Sequence, residues 1–79
     1  MIKNGYAVCY EGNGGVVAPD IISRHRTLDG ARRAYRKRNW WLFDEEKAQR
    51  RGLSSTGTFD RIYELEDGRL TNYVSAFHD

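Results

Sequence analysis

Apolar residues near the start of the chain come in short runs separated by glycines, a pattern that predicts a β-hairpin. Residues 6–10 are mostly aromatic or β-branched, which is typical of a strand. The glycine-rich residues 11–15 follow, and such residues tolerate the positive φ angles that hairpin turns need. The apolar pattern resumes at residues 16–18 and again at 21–22. Because Pro19 cannot donate a ladder hydrogen bond, this second strand should lie at a sheet edge or carry a bulge.

The hydrophobic period lengthens to that of a helix after Thr27. Either Thr27 or Asp29 can cap the helix start, because each side-chain oxygen can accept from an otherwise unpaired backbone N–H. The apolar positions cover roughly 140° of the helix surface, a normal width for a stripe that faces a core. They are Leu28, Ala31, Ala34, Tyr35, Trp41 and Leu42. Arg38 falls inside this stripe and must reach water or find a partner.

Residues 44–51 also predict helix, with acidic residues first and basic residues last, as the helix dipole favours. Gly52 suits the position at which such a helix ends. The pattern leaves open whether residues 28–51 form one helix or two helices with a break near residues 39–44.

A second hairpin is predicted for the last third of the chain. Residues 58–65 alternate, with Phe59, Tyr63 and Leu65 against Asp60 and Glu64. Asp67-Gly68 is a strong hairpin-turn signal, and residues 70–77 complete the last strand. The predicted order is ββαββ. The simplest fold is α+β, an antiparallel four-stranded sheet with one main helix, continuous or broken, packed on one face. We expect residues 1–79 to form a single domain.

The cysteine count and the short apolar runs indicate the compartment in which the protein works. Cys9 is the only cysteine, so no intrachain disulfide can form, and small secreted domains usually need such bonds. The first residues lack the basic region and apolar run of a signal peptide. Apolar runs are also far shorter than the about 20 residues that span a bilayer. We therefore expect a soluble, cytosolic protein with no membrane partner. A homodimer that shares apolar surface stays open, because so short a chain buries little core.

Charge is distributed unevenly although the formal net charge is only +2. Residues 24–51 hold ten Lys and Arg against four Asp and Glu, whereas the rest of the chain holds three against seven. A basic segment of this kind attracts a nucleic acid or an acidic protein surface. Guanidinium groups also form bidentate bonds to phosphate or carboxylate. The predicted partner-binding residues are Arg24, Arg26, Arg32, Arg33, Arg36, Lys37 and Trp40.

The alternative interpretation of these cations is a solvated helix face that only keeps a small protein in solution. The binding hypothesis requires that the cations face water and are not paired with the acids of the second hairpin. Those acids are Asp60, Glu64, Glu66 and Asp67. The sequence does not decide which of Trp40 and Trp41 is buried.

No combination of residues indicates catalysis. Cys9, His25 and Asp20 could supply a nucleophile, a base and an orienting acid. However, Cys9 lies in the middle of a predicted strand, where a small buried thiol is common. One cysteine and two distant histidines lack the paired spacing of zinc modules. The glycine-rich turn joins two strands, whereas a phosphate-binding loop leads into a helix. We predict no enzymatic activity, no metal and no cofactor.

Residues 22–36, ISRHRTLDGARRAYR, resemble the strand-to-helix junction of short phage and mobile-element proteins. Together with the ββαββ order and the small size, this segment resembles small phage-encoded anti-CRISPR proteins. The resemblance implies a non-enzymatic inhibitor in the host cytosol that binds a CRISPR–Cas effector complex. Such an inhibitor blocks target-DNA binding or nuclease recruitment. The resemblance assigns no residue a role. The alternatives are a stand-alone DNA- or RNA-binding module and a structural or dimerisation domain.

Overall fold

The structure, a computed structural model, describes residues 4–12, 19–53 and 57–77. Within these ranges the elements are the strands β1 (Gly5–Tyr10) and β2 (Asp20–His25), the helices α1 (Leu28–Arg38) and α2 (Glu45–Arg50), and the strands β3 (Asp60–Glu66) and β4 (Arg69–Val74). A 3₁₀ turn (Trp40–Leu42) joins α1 to α2. The strands form one antiparallel sheet with the order β2-β1-β3-β4. This confirms the predicted α+β class and the ββαββ order.

The sheet joins two hairpins through their first strands. β1 pairs along its whole length with residues 60–65 of β3, beginning with Gly5 opposite Leu65. β2 and β4 therefore form the two edges, and β2 starts directly after Pro19. A proline at the start of an edge strand costs the sheet no ladder hydrogen bond, as predicted. The strand predicted for residues 16–18 lies outside the described residues.

The turn of the second hairpin has the predicted geometry. Asp67 and Gly68 have φ angles of 52° and 79°. Two consecutive positive φ angles are what a two-residue turn needs to match the twist of its strands. Both strands are shorter than predicted, since β3 begins at Asp60 and β4 ends at Val74.

α1 packs on one face of the sheet over a small apolar core. Ala31 and Tyr35 of α1 meet Val8 of β1 and Ile62 of β3, each 3% exposed or less. Leu28, Ala34 and Leu42 pack around them, so these positions of the predicted stripe are confirmed. Trp41, the sixth predicted position, lies edge-to-face against Trp40, with ring centroids 6.2 Å apart.

Residues 28–51 form two helices, which answers the question that the pattern left open. Thr27 caps α1 by accepting a backbone hydrogen bond at 3.0 Å on its hydroxyl. Asp44 caps α2 in the same way. Gly52 follows α2 with a φ of 73°, a left-handed conformation that glycine adopts without strain.

The break between the helices follows from a buried polar network at the end of α1. The Asn39 side chain is buried, and its Nδ2 donates to the Tyr35 carbonyl oxygen at 3.0 Å and to the Asp60 carboxylate at 2.9 Å. Its Oδ1 accepts a hydrogen bond from the Thr58 hydroxyl at 2.6 Å. Arg38 donates from Nε to the same carboxylate at 2.7 Å, so it has the partner that its place in the stripe required. Buried polar groups need such partners, and here they fix the residue at which the helix ends.

The predicted alternation of apolar and polar residues in β3 is wrong at Asp60. The pattern placed Phe59 on the apolar side and Asp60 on the polar side, but Phe59 is 63% exposed and Asp60 only 3%. Ile62 faces α1 on the same side of the strand as Asp60. Leu65 is buried on the other face against residues of β1. Because both faces of β3 bury apolar residues, alternation along this strand does not separate core from solvent.

Candidate polyanion-binding surface

The side of α1 that points away from the sheet carries three exposed cations, Arg33, Arg36 and Lys37. Arg33 pairs with Asp29 at 2.8 Å, one helical turn earlier. Both side chains of this pair are largely exposed, and solvent screening leaves such a pair worth little. α1 therefore presents positive charge to solvent, as the helix pattern predicted.

Arg36 lies over an aromatic ring. Its Cζ is 4.9 Å from the centroid of Phe43, which follows the 3₁₀ turn. The Phe43 ring in turn stacks on Phe77 with centroids 5.1 Å apart and meets the buried Tyr35 edge-on. A cation over a ring face is attracted by the ring quadrupole. The guanidinium of Arg36 is thus held in place by apolar packing and stays exposed to solvent.

Trp40 is flanked by two cations that the sequence analysis did not include. The Nζ of Lys47 lies 5.2 Å from the centroid of the Trp40 ring, and the Cζ of Arg51 lies 5.7 Å from it. Lys47 lies in α2 and Arg51 directly follows it, four residues later, so the two side chains lie on the same side. α2 contacts the 3₁₀ turn, which places both cations beside the Trp40 ring. Trp40 and Trp41 are both half-buried.

We call this set of side chains the cationic surface. It consists of Arg33, Arg36, Lys37, Trp40, Lys47 and Arg51. Among residues 4–12, 19–53 and 57–77, no carboxylate lies within ion-pair distance of Arg36, Lys37, Lys47 or Arg51. Asp60 pairs with Arg38, and its hydrogen bond raises the pKa of that guanidinium further. None of Asp60, Glu64, Glu66 and Asp67, the acids of the second hairpin, therefore forms an ion pair with the cationic surface.

The three other predicted binding residues are placed differently. The Arg32 side chain is half-buried, and its Nε donates to the Ser75 carbonyl oxygen at 3.2 Å. Arg24 is exposed on β2 opposite Ala7, which lies on the sheet face away from α1. Arg26 is exposed in the turn that precedes α1. The structure does not bring Arg24 to the cationic surface, and a role in binding for Arg24 or Arg26 stays a prediction.

The residues considered for catalysis are not brought together. Cys9 lies on the sheet face away from α1, whereas His25 pairs opposite Tyr6 on the α1 side. The Nε2 of His25 lies 2.8 Å from the hydroxyl of Ser23. Asp20 lies at the other end of β2. Burial, reinforced by a nearby carboxylate, raises the pKa of the Cys9 thiol to about 11, so the thiol is protonated at neutral pH.

The described part of the chain brings together no group of three or more His, Cys, Asp or Glu side chains that could hold a metal ion. Over the same ranges, no helix has both the length and the apolar character needed to cross a membrane. Comparisons with protein-family models, curated proteins and solved structures found no match to this chain. The functional interpretation therefore depends on the geometry and charge of the site.

Proposed function

We propose that the protein is a non-enzymatic binding protein that contacts a polyanionic partner through its cationic surface. The observation that carries the proposal is that Arg36, Lys37, Lys47 and Arg51 have no carboxylate within ion-pair distance among the described residues. Exposed positive charge that no carboxylate pairs with raises the local concentration of anionic partners and speeds their encounter.

Two features of the surface favour specific contact over simple solubility. Arg36 is held over Phe43, and Lys47 and Arg51 lie beside the Trp40 ring. A positioned side chain loses less rotamer freedom when it binds, so more of the contact energy appears as affinity. Arginine and tryptophan are also the residue types that contribute most at protein interfaces.

For the partner, we propose a CRISPR–Cas effector complex, which the protein inhibits by blocking target-DNA binding or nuclease recruitment. The resemblance of residues 22–36 and the ββαββ order to small anti-CRISPR proteins supports this choice. A nucleic-acid–handling complex also offers the anionic groups that the cationic surface suits.

Capture of purified type I and type II effectors on the immobilised protein tests the proposal. We expect one effector to bind, and Lys37→Glu or Lys47→Glu to weaken its binding about tenfold, since each reversal removes a charge-assisted contact and adds repulsion. Arg69→Glu is the matched control, because Arg69 is an exposed cation at the start of β4. Failure of all effectors to bind would remove the effector as partner. Equal weakening by the control would show that only net charge matters.

A stand-alone DNA- or RNA-binding module is the second candidate, favoured by the cations that flank the Trp40 ring. Contact with about five phosphates predicts a slope of about −4 to −5 for log affinity against log salt on duplex DNA. Gel shifts at about 50 and about 200 mM salt measure that slope. Tight binding that is insensitive to salt would contradict a phosphate-led contact.

A further inference from the structure

We propose that the sheet face away from α1 binds single-stranded nucleic acid by stacking one unpaired base on Tyr73. α1 covers the opposite face of the sheet, where Val8 and Ile62 are buried beneath it. Tyr73 lies on the edge strand β4 and is 61% exposed, although it is a large aromatic residue. The inference goes beyond the proposed function, because it concerns a second surface on the other side of the sheet from the cationic surface.

Tyr73 belongs to a row of four residues that crosses the sheet, each directly opposite the next. The row consists of Arg24 of β2, Ala7 of β1, Tyr63 of β3 and Tyr73 of β4. Ala7 is buried on the face away from α1, and Tyr63 packs against the same cluster. Directly opposite residues of an antiparallel sheet share one face, so the whole row lies on this side. Because neighbouring strands are about 4.8 Å apart, about 14 Å of sheet separates Tyr73 from Arg24.

The two tyrosine rings of the row are positioned by their neighbours. Their centroids lie 6.2 Å apart and their planes cross at 80°, an edge-to-face arrangement that aromatic pairs favour. The Tyr63 hydroxyl donates to the Glu11 carboxylate, whose other oxygen lies 3.8 Å from the Nε of Arg61. A ring that is positioned before a base arrives loses little freedom on binding, so more of the stacking energy appears as affinity.

The charges on this face suit the backbone of a nucleic-acid strand. Arg24 is exposed, and in the described part of the chain no carboxylate lies within ion-pair distance of its guanidinium. Glu11, the acid beside Tyr63, already pairs with Arg61. The row therefore offers a ring for a base and a cation for a phosphate, the two contacts that single-strand binding uses. Bases in a duplex are stacked on one another and do not present their faces to a side chain, so the row selects single strands.

Fluorescence anisotropy of the full chain with labelled single strands of about 12 nucleotides tests the proposal, with DNA and RNA of one sequence as parallel arms. Loss of one base stack predicts that Tyr73→Ala weakens binding about 5- to 150-fold, whereas Tyr73→Phe keeps the ring and should bind as the unchanged protein does. Tyr10→Ala is the matched control, because Tyr10 is 39% exposed and its place opposite Asp60 puts it on the α1 side of the sheet. An arm that responds to Tyr73→Ala supports the proposal and identifies the kind of strand.

Arg24→Gln tests the phosphate contact. One contact fewer should reduce the magnitude of the slope of log affinity against log salt by about 0.7 on single strands. Arg69→Gln removes the same charge at the start of β4 and should leave the slope unchanged. A slope equally affected by both variants would indicate general ion screening and contradict the contact.

NMR of the unchanged protein detects the stack without a variant, as saturable upfield shifts of the Tyr73 ring protons during titration with the single strand. Absence of these shifts, or equal losses of affinity in Tyr73→Ala and Tyr10→Ala, would overturn the proposal. Loss of single-strand binding in Lys37→Glu but not in Tyr73→Ala would place the strand on the cationic surface and overturn it as well.

Discussion

The polar network at the end of α1 predicts a large loss of stability for Asn39→Ala. The Asn39 amide makes three hydrogen bonds, to the Tyr35 carbonyl, the Asp60 carboxylate and the Thr58 hydroxyl, at distances of 2.6 to 3.0 Å. A neutral hydrogen bond contributes about 1 kcal/mol and a bond to a charged group about 1.5 to 3 kcal/mol. Truncation also leaves a buried carboxylate with fewer donors. We therefore expect the free energy of unfolding to fall by about 3 to 5 kcal/mol.

This loss is a large part of the total free energy of unfolding expected for a chain of 79 residues. At about 0.05 to 0.15 kcal/mol per residue, the total free energy of unfolding is about 4 to 12 kcal/mol. Urea unfolding followed by far-UV circular dichroism measures the change. With an m-value of about 1 to 1.5 kcal/mol/M for so small a domain, the midpoint should fall by about 2 to 5 M.

The control is Asn72→Ala, which makes the same chemical change at an exposed position of β4. We expect this variant to shift the free energy of unfolding by less than about 0.5 kcal/mol. Tryptophan fluorescence provides a second probe, because both tryptophans directly follow Asn39. A similar small shift in both variants would refute the reasoning. A change in the fluorescence transition alone would show that the network holds only the 3₁₀ turn.

Three further predictions concern the sheet. Cys9 is buried, and its thiol has a pKa of about 11. It should therefore react with iodoacetamide at pH 8 only as the protein unfolds. The labelled fraction, measured by mass spectrometry, should rise with the urea transition. Gly5→Ala should lower the free energy of unfolding in urea by about 1 to 3 kcal/mol, because φ at Gly5 is 143° and a methyl group there meets a carbonyl oxygen of β2. Gly57→Ala is the control: its methyl group meets no atom within 4 Å, so it should cost little. The hydrogen bond from Tyr63 to Glu11 raises the pKa of Tyr63 to about 12, above the ordinary value of about 10. The stability that this bond contributes is therefore complete below pH 10 and is lost as the pH approaches 12. In urea titrations over that pH range, Tyr63→Phe should lose less stability than the unchanged protein.

Features that depend on a few neighbouring residues could be predicted from the sequence. The Thr27 cap, the Asp67-Gly68 turn and the left-handed Gly52 shortly after α2 each depend on the backbone preferences of one or two residues. The basic outer side of α1 also follows from helical spacing alone. These local preferences agree with the tertiary structure, which is why the order of elements was predicted correctly.

Features that depend on distant parts of the chain could not be predicted in this way. Asp60 is buried because Arg38 and Asn39, some 20 residues earlier, place their donors beside it. Lys47 and Arg51 join the cationic surface because the helix break brings α2 onto Trp40. Their spacing of four residues showed that they share one side of a helix, but gave no sign of which residue that side would meet.

The pairing of β1 with β3 sets how the molecule must fold. Gly5 pairs with Leu65, and the 59 residues between them have to form a closed loop before this ladder exists. Each hairpin and α1 need only near neighbours, so they can form quickly, whereas the closure of so long a loop loses chain entropy before any contact offsets the loss. We expect this closure to limit the folding rate. The sheet face on which α1 packs then forms only after the first and last thirds of the chain have paired.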